Sequence, residues 1–543
     1  MNVEYRLNSV LTSAVGSHAA RLVRLDDMSA HCVLILSAFL KRAGRIGGSE
    51  LHRWLPRLVG SGVQTEGDLQ SWVRQFFPGA GLRLFGACRK RADKVTGAGV
   101  KVFGWNEPCG SPVGKGDLFS TPLSGRIPSR SMVRPCPAVL FGKGPIDPDL
   151  PLFAVFNSRK PRLVPPDSEW LQALRFVFRS LDLRGIGLAG SAGTLTHDLV
   201  GAHASRSGLP QVVVVPFPLL ESCSELSKIH GEAVNGMPVL SCMLDSSCTP
   251  KNKPQVCRDW IIGMLASFHL VLEIRSGGNL SAALEEIQAK SPRHQIIYEP
   301  EDLGPLSAGN IGLLEKFPEF AHRFRLPKLP DLPFKGRRNA EKIHPLGCCD
   351  IVWDDYLYHY TRGCAGPWPG EAYRQYLLNL FDARPLSAHS ALETLIRIFQ
   401  EGFIRAGSRM VRGDKAVISW SSHSPKELFV LRKWNRALIR WTVEPYGIAI
   451  RRDILRSLGA KPAVYGTDRV YSRLAESERY RFQLSGASGA GSWRHEREWR
   501  MPGNLTLSGI KSDCGFVFVR TVEEIETLRD NVDLKLPIVA LDA

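Results

Sequence analysis

Three short segments of the chain combine small residues with cations, as proteins do where they hold phosphate groups. Residues 157–161 read Asn-Ser-Arg-Lys-Pro, residues 187–194 read Gly-Leu-Ala-Gly-Ser-Ala-Gly-Thr, and residues 275–280 read Arg-Ser-Gly-Gly-Asn-Leu. Each follows an apolar run that is typical of a buried parallel strand. Glycines let backbone N–H groups approach an anion, and helix N-termini favour negative charge. The segments therefore predict a phosphate site at the carboxyl edge of a sheet, where open α/β sheets bind ligands.

The candidate contacts to this anion are Ser158, Arg159, Lys160, Gly190, Ser191, Gly193, Arg258, Arg275, Ser276, Gly277 and Gly278. A second interpretation stays open for them. Glycines also serve tight turns between strand and helix, so a glycine-rich motif needs its structural context. The cations would then provide solubility or internal ion pairs, which contribute little when they lie at a surface.

The bulk composition favours a polyanionic partner. The chain has 543 residues and a formal net charge of +17, and such a field attracts nucleic acid or an anionic surface. Its twelve cysteines include no Cys-x-x-Cys pair, so we predict no metal and no thioredoxin-like site. The first residues lack a signal-peptide pattern, and the apolar runs fall short of the roughly 20 residues of a membrane helix. We therefore expect a cytoplasmic protein with reduced thiols and no membrane segment.

Alternating strand and helix patterns predict an α/β fold with a Rossmann-like, doubly wound parallel sheet. The predicted strands are 138–141, 152–156, 185–189, 211–216, 238–241, 270–273 and 295–298, and the predicted helices are 169–181, 196–207, 255–266 and 279–289.

The regions on either side of this sheet have other patterns. Apolar residues at helical spacing, as in 49–59 and 68–77, predict helices in the N-terminal region, and the Gly, Pro and Ser content of 97–129 predicts loop. In the last region we predict strands at 356–360 and 416–420 and helices at 391–401 and 424–438. The domains are thus a helical region (1–95), a Rossmann-like domain (96–325), a proline-rich linker (326–349) and an α+β domain (350–543).

The α/β region resembles the DprA (DNA-processing protein) family. FAVFNSRKP is similar to that family's strand and Gly-Ser-Arg turn, GLAGSAGTLTHDL to its Ser-Gly-x-Ala-x-Gly-Ile-Asp segment, and LVLEIRSGGNLSAALE to its strand, Ser-Gly-Ser loop and helix. Asn157 stands where the family has Gly. The segment CRDWIIGMLA resembles the family's Arg-Asn-Arg-Ile-Ile-x-x-Leu helix start, but Trp260 replaces the second Arg. The resemblance, within the SLOG superfamily, implies single-stranded DNA held by phosphate contacts and stacking, or a small nucleotide-derived ligand.

The C-terminal region resembles an ADP-ribosyltransferase-like fold, through His-Tyr-Thr at 359–361, Gly-Phe-Ile at 402–404 and a late glutamate. The resemblance implies NAD as substrate. His359 would orient its ribose, Tyr465 would stack on nicotinamide, and Glu498 would stabilise an oxocarbenium-like transition state. Glu496 is an alternative to Glu498, because the two share a face if 493–500 form a strand. In a second interpretation the glutamates only form ion pairs with Arg494, Arg497 and Arg500.

Together these patterns predict a bacterial-type sensor and effector. Binding of single-stranded DNA or a nucleotide would license NAD-dependent ADP-ribosyl transfer or NAD cleavage, in antiviral defence with partner proteins or as a homo-oligomer. Two alternatives stay open: a non-catalytic protein that binds DNA or recruits a partner, and a sensor of a small nucleotide signal. The phosphate-site hypothesis requires that the turns at Ser158, Ser191 and Gly277 lie together and that no side chain plugs them.

Overall fold

A computed structural model of the chain forms two compact units. The first comprises Met1–Lys160, Pro166–Pro330 and Glu371–Arg384, and the second comprises Pro161–Pro165, Asp331–Gly370 and Pro385–Ala543. The structure describes residues 22–24, 33–35, 66–76, 82–105, 140–147, 149–160, 164, 168–244, 254–301, 304–305, 307–327, 351–408, 411–412, 415–430, 434–435, 440–441, 443–484 and 497–542. Within those ranges, no helix is long and apolar enough to cross a membrane.

A mostly parallel sheet forms the centre of the first unit. Its strands are β1 (Leu22–Arg24), β2 (Lys101–Trp105), β3 (Leu140–Lys143), β4 (Leu152–Phe156), β5 (Gly187–Gly190), β6 (Gln211–Val214), β7 (Val239–Ser241), β8 (Phe268–Val271), β9 (His294–Tyr298) and β10 (Ala321–Phe324). Their spatial order is β1-β2-β3-β7-β6-β5-β4-β8-β9-β10. The strands from β7 to β10 in that order run parallel, and β1, β2 and β3 add an antiparallel edge. The predicted Rossmann-like α/β class is confirmed.

Helices connect these strands and cover the sheet. They are α1 (Glu66–Phe76), α2 (Leu82–Gly97), α3 (Glu169–Ser180), α4 (Leu195–Ser207), α5 (Cys223–His230), α6 (Pro254–Leu265), α7 (Asn279–Lys290), α8 (Ala308–Lys316) and α9 (Tyr373–Phe381). Both faces of the central strands are buried, as all five residues of β4 illustrate. This double burial explains why the parallel strands appear in the sequence as continuous apolar runs.

Two predictions for the first part of the chain were wrong in detail. Strand β1 lies in the region predicted to be helical, and β2 lies in the segment predicted to be mostly loop. Both are short antiparallel strands whose stability comes from pairing, so their own residues carry little periodic signal. The predicted helix at 49–59 and almost all of the predicted linker at 326–349 fall outside the described residues.

Helix α9 lies beyond the predicted linker in sequence, yet it packs in the first unit. The buried Arg175 of α3 donates from Nε to the carbonyl oxygen of Phe381 at 2.8 Å. The ring of Phe381 stacks on His203 with centroids 4.0 Å apart. Arg206 of α4 forms an ion pair with Asp382 at 2.6 Å. Residues 371–384 therefore pack with the first unit, although they follow the strand at 356–360 in sequence.

The second unit is built on a seven-stranded, mostly antiparallel sheet, in the order β17-β20-β13-β11-β16-β22-β23. Its strands are β11 (Tyr356–Tyr360), β13 (Val417–Ser421), β16 (Gly447–Arg451), β17 (Lys461–Pro462), β20 (Glu498–Pro502), β22 (Gly515–Val519) and β23 (Ile538–Ala540). Short strand pairs lie outside this sheet: β12 (Phe403–Ile404) with β21 (Leu505–Thr506), β14 (Trp434–Asn435) with β15 (Arg440–Trp441), and β18 (Val464–Gly466) with β19 (Phe482–Leu484).

The helices of the second unit are α10 (Ala391–Glu401), α11 (Pro425–Val430), α12 (Arg452–Ser457), α13 (Asp468–Arg473) and α14 (Val522–Asn531). Helix α10 has the predicted bounds because Ser390 and Glu393 form a capping box at its start and Gly402, at φ 76°, ends it. The predicted helix at 424–438 was wrong beyond Val430, since β14 follows.

Candidate functional site

The three predicted turns lie side by side in the first unit. Strand β4 pairs in parallel with β5 on one side and with β8 on the other, so their carboxyl ends meet at one edge. The Ser158 amide donates to the carbonyl oxygen of Glu273 at 2.8 Å, and the Arg275 amide donates to Ser158 Oγ at 3.1 Å. The first and third turns are therefore directly hydrogen-bonded, as the phosphate-site hypothesis requires.

Asn157 links the first turn to residues that flank the other two turns. Its Nδ2 donates to Thr196 Oγ1 at 3.2 Å, in the first turn of α4, which follows the second segment. Its Oδ1 accepts from the Glu273 amide at 3.3 Å, just after β8. A glycine at this position could make neither bond. The asparagine therefore fixes the relative positions of the turns that we name the rim: residues 157–160, 190–194 and 275–278.

The second turn of the rim is closed by a carboxylate of the protein itself. Gly193, at φ 90°, donates its amide to Asp198 Oδ1 at 2.8 Å. Asp198 is only 5% exposed, and its Oδ2 accepts from the Tyr373 hydroxyl at 2.7 Å. Ser191 is buried at the same turn. The Asp198 carboxylate thus occupies the Gly193 amide, so a side chain of the protein fills this turn, contrary to the second requirement of the phosphate-site hypothesis. No local pattern indicates the contact with Tyr373, which lies 175 residues away in the chain.

The third turn is the open part of the rim. Arg275, Ser276 and Gly277 are exposed, and Gly277 adopts φ 66°, a conformation that favours glycine. Behind the turn, the fully buried Asn310 accepts from the Ile274 amide at 2.9 Å and donates to the Tyr298 carbonyl at 2.6 Å. The third turn is therefore exposed to solvent, and the hydrogen bonds of Asn310 hold its backbone in place.

The four predicted cations divide into two pairs. Lys160 forms an ion pair with Glu273, with 5% of the lysine side chain exposed, and burial lowers the pKa of Lys160. Arg258 is buried and pairs with its neighbour Asp259 at 2.6 Å. These two cations have the alternative role of internal ion pairs. Arg159 and Arg275 are exposed at the rim and can reach a phosphate.

In the second unit, three of the predicted residues lie in one hydrogen-bonded network. Glu498 begins β20, which pairs with β13 through the register Ser421↔Glu498. Glu498 Oε1 accepts from Ser419 Oγ at 3.0 Å, and Oε2 accepts from the Tyr465 hydroxyl at 3.5 Å. Tyr465 thus contacts the predicted catalytic carboxylate through its hydroxyl.

His359 joins this network from the neighbouring strand. Its Nδ1 donates to the backbone carbonyl of Ser419 at 3.0 Å, which leaves Nε2 as an acceptor. Desolvation lowers the pKa of His359, the hydrogen bond to Ser419 opposes this shift, and the charge of Arg362 adds to it, so the net change favours the neutral ring. The register between β11 and β13 comprises one pair, Tyr358↔Ser421, next to the bond from His359 to the Ser419 carbonyl.

Ser419 is the member of this network that sequence reasoning missed. It is an exposed residue in the middle of an otherwise buried strand, and that interruption was the available signal. The ion-pair interpretation is also realised in part, because Arg500 bonds Glu498 Oε1 at 2.9 Å. Glu496 and Arg494 lie outside the described residues. In the part of the chain that is described, no group of three or more His, Cys, Asp or Glu could hold a metal ion.

Comparison with known proteins gives distant structural likenesses. No family model matches the chain, and no curated protein matches it. The DNA processing protein A (DprA) of Streptococcus pneumoniae is 14% identical, with a TM-score of 0.32 over 60% of this chain and 95% of that chain. The DprA of Helicobacter pylori, described for its single-stranded DNA binding mode, is 17% identical, with a TM-score of 0.26 over 36% and 88%.

Proposed function

We propose that the first unit binds single-stranded DNA by its phosphates at the rim. The observation that carries this proposal is the hydrogen bonding of Asn157 and Ser158, which brings three small-residue turns to one sheet edge. Exposed cations at Arg159 and Arg275, together with the open third turn, suit a strand that crosses a surface. A small nucleotide would be better served by a closed pocket.

A titration with a fluorescent oligonucleotide tests this proposal. We expect saturable binding whose log affinity falls with log salt by about 0.7 for each phosphate contacted. Free nucleotides should compete weakly. Tight nucleotide binding without oligonucleotide binding would favour the small-nucleotide alternative, and absence of both would overturn the phosphate site.

Asp198→Asn should strengthen oligonucleotide binding. The amide keeps the shape of the carboxylate and can still accept from Gly193, but the negative charge beside the turn is gone. Relief of that repulsion should raise the affinity about tenfold, or about 1.4 kcal/mol. Asp182→Asn, a change of an exposed ion-paired aspartate, is the matched control and should leave the affinity unchanged. Equal affinities of the Asp198→Asn and wild-type proteins would show that phosphates do not approach this turn.

We further propose that the second unit cleaves NAD and transfers or releases ADP-ribose. The network of Glu498, Ser419 and His359 favours this function. Neutral His359 presents Nε2 to a ribose hydroxyl, and the Glu498 carboxylate stabilises positive charge that develops on the ribose. Release of nicotinamide from labelled NAD, with and without single-stranded DNA, measures the activity. If this activity serves antiviral defence, cells that carry the Glu498→Gln variant should lose their protection against phage in a plaque assay.

A further inference from the structure

Arg500 is a buried, fully hydrogen-bonded side chain next to the proposed NAD site. It is 2% exposed, and its guanidinium uses all five N–H donors. Two bonds reach Glu498, at 2.9 Å from Nε to Oε1 and at 3.3 Å from Nη2 to Oε2. The others reach the carbonyls of Tyr480 (3.2 Å) and Phe482 (2.6 Å) and the side chain of Gln483. A buried cation with every donor satisfied has one favoured position.

The same guanidinium also fixes the strand pair that carries Tyr465. Strands β18 and β19 run parallel, and their register places Tyr465 opposite Gln483. Arg500 bonds the side chain of Gln483 and the backbone of Phe482, both in β19. Thus one group holds the carboxylate of β20 and the strand next to the Tyr465 hydroxyl.

The two oxygens of Glu498 are held unequally. Oε1 accepts from Ser419 at 3.0 Å and from Arg500 at 2.9 Å. Oε2 accepts only at 3.3 Å from Arg500 and at 3.5 Å from Tyr465 among the bonds that the described residues form. Because the bonds to Oε2 are long, this oxygen can exchange the Tyr465 hydroxyl for a substrate hydroxyl at small cost.

We propose that Arg500 is the positioning residue of the NAD site, which turns Glu498 so that Oε2 faces the substrate. The inference rests on the proposed NAD reaction, and it adds a residue that does not itself touch substrate. Holding Glu498 and β19 at the same time requires the planar, forked donors of a guanidinium. Lysine keeps the charge but offers three donors from a single nitrogen, so it cannot hold both carboxylate oxygens and β19 together.

Steady-state kinetics of nicotinamide release by Arg500→Lys tests the proposal in the full chain. We expect kcat to fall about 100-fold, because a small displacement of a catalytic carboxylate has that effect, with KM within about twofold. In a Glu498→Gln background, Arg500→Lys should change the remaining rate by less than about twofold, because the group that it positions is already inactive. The control is Arg481→Lys. Arg481 is a partly buried arginine of the same unit that forms an ion pair with Glu478, and this variant should keep wild-type kinetics.

The outcomes separate this inference from the function on which it rests. A wild-type protein that releases no nicotinamide overturns the NAD reaction, and the role of Arg500 falls with it. An active wild type with an equally active Arg500→Lys variant overturns the positioning role alone, as does an equal loss of rate in the Glu498→Gln background. If Arg500→Lys does not fold, Gln483→Ala takes its place. This variant removes one partner of the guanidinium and should lower kcat about fivefold at unchanged KM.

Discussion

We expect Glu498→Gln to lower the rate of nicotinamide release from NAD by at least about 100-fold, the usual cost of removing one group that stabilises transition-state charge. Glutamine has the shape of glutamate and can still accept from Ser419, so the sheet should remain intact. Only the negative charge opposite the developing cation is lost. Chromatography of nicotinamide, with and without single-stranded DNA, measures the effect.

The matched control for this variant is Glu401→Gln. Glu401 is also a partly buried glutamate with arginine partners, Arg397 and Arg405, but it lies on helix α10. The Glu401→Gln protein should release nicotinamide at the wild-type rate. If the Glu498→Gln protein releases nicotinamide as fast as wild type, the catalytic role of Glu498 is contradicted. The carboxylate would then serve only as an ion-pair partner.

The second large effect concerns the rim. The Arg159→Ala, Arg275→Ala double variant should bind a single-stranded oligonucleotide about 100-fold more weakly at low salt. The slope of log affinity against log salt should fall by about 1.4, since each lost phosphate contact removes about 0.7. Both arginines are exposed, so their removal should leave the free energy of unfolding nearly unchanged. Fluorescence anisotropy over a range of salt concentrations gives both quantities.

The Arg184→Ala, Lys228→Ala double variant removes the same charge from exposed, ion-paired positions of the first unit. It should retain the affinity to within about threefold and the slope to within about 0.3, because it removes only the long-range attraction. Equal losses in the two double variants would mean that net charge, and not the rim, attracts the oligonucleotide.

Local sequence signals predicted the elements that are stabilised locally. The apolar run at 152–156 predicted the bounds of β4. The predicted helix at 391–401 matches α10, whose ends are stabilised locally by Ser390, Glu393 and Gly402. Strands β1 and β2 were missed because pairing with a distant neighbour stabilises them. The periodicity of a short strand cannot show such pairing.

The same division applies to the sites. Strand ends followed by glycines predicted that the turns would meet, because this follows from parallel strand order. Three features depend on contacts between residues far apart in the chain: Asp198 with Tyr373, Asn310 beneath the third turn, and Ser419 between His359 and Glu498. Neither motif nor composition encodes which side chain fills a space that several strands create.

A single phosphate-binding rim requires that the three turns at one sheet edge contact the oligonucleotide together. Amide hydrogen exchange, measured by mass spectrometry with and without a saturating single-stranded oligonucleotide, tests it directly. We predict slower exchange in residues 157–160, 190–194 and 275–278 together, and unchanged exchange in helix α2, which carries the basic cluster Arg89, Lys90 and Arg91. Slower exchange confined to α2, with the three turns unaffected while the oligonucleotide is bound, would contradict the claim.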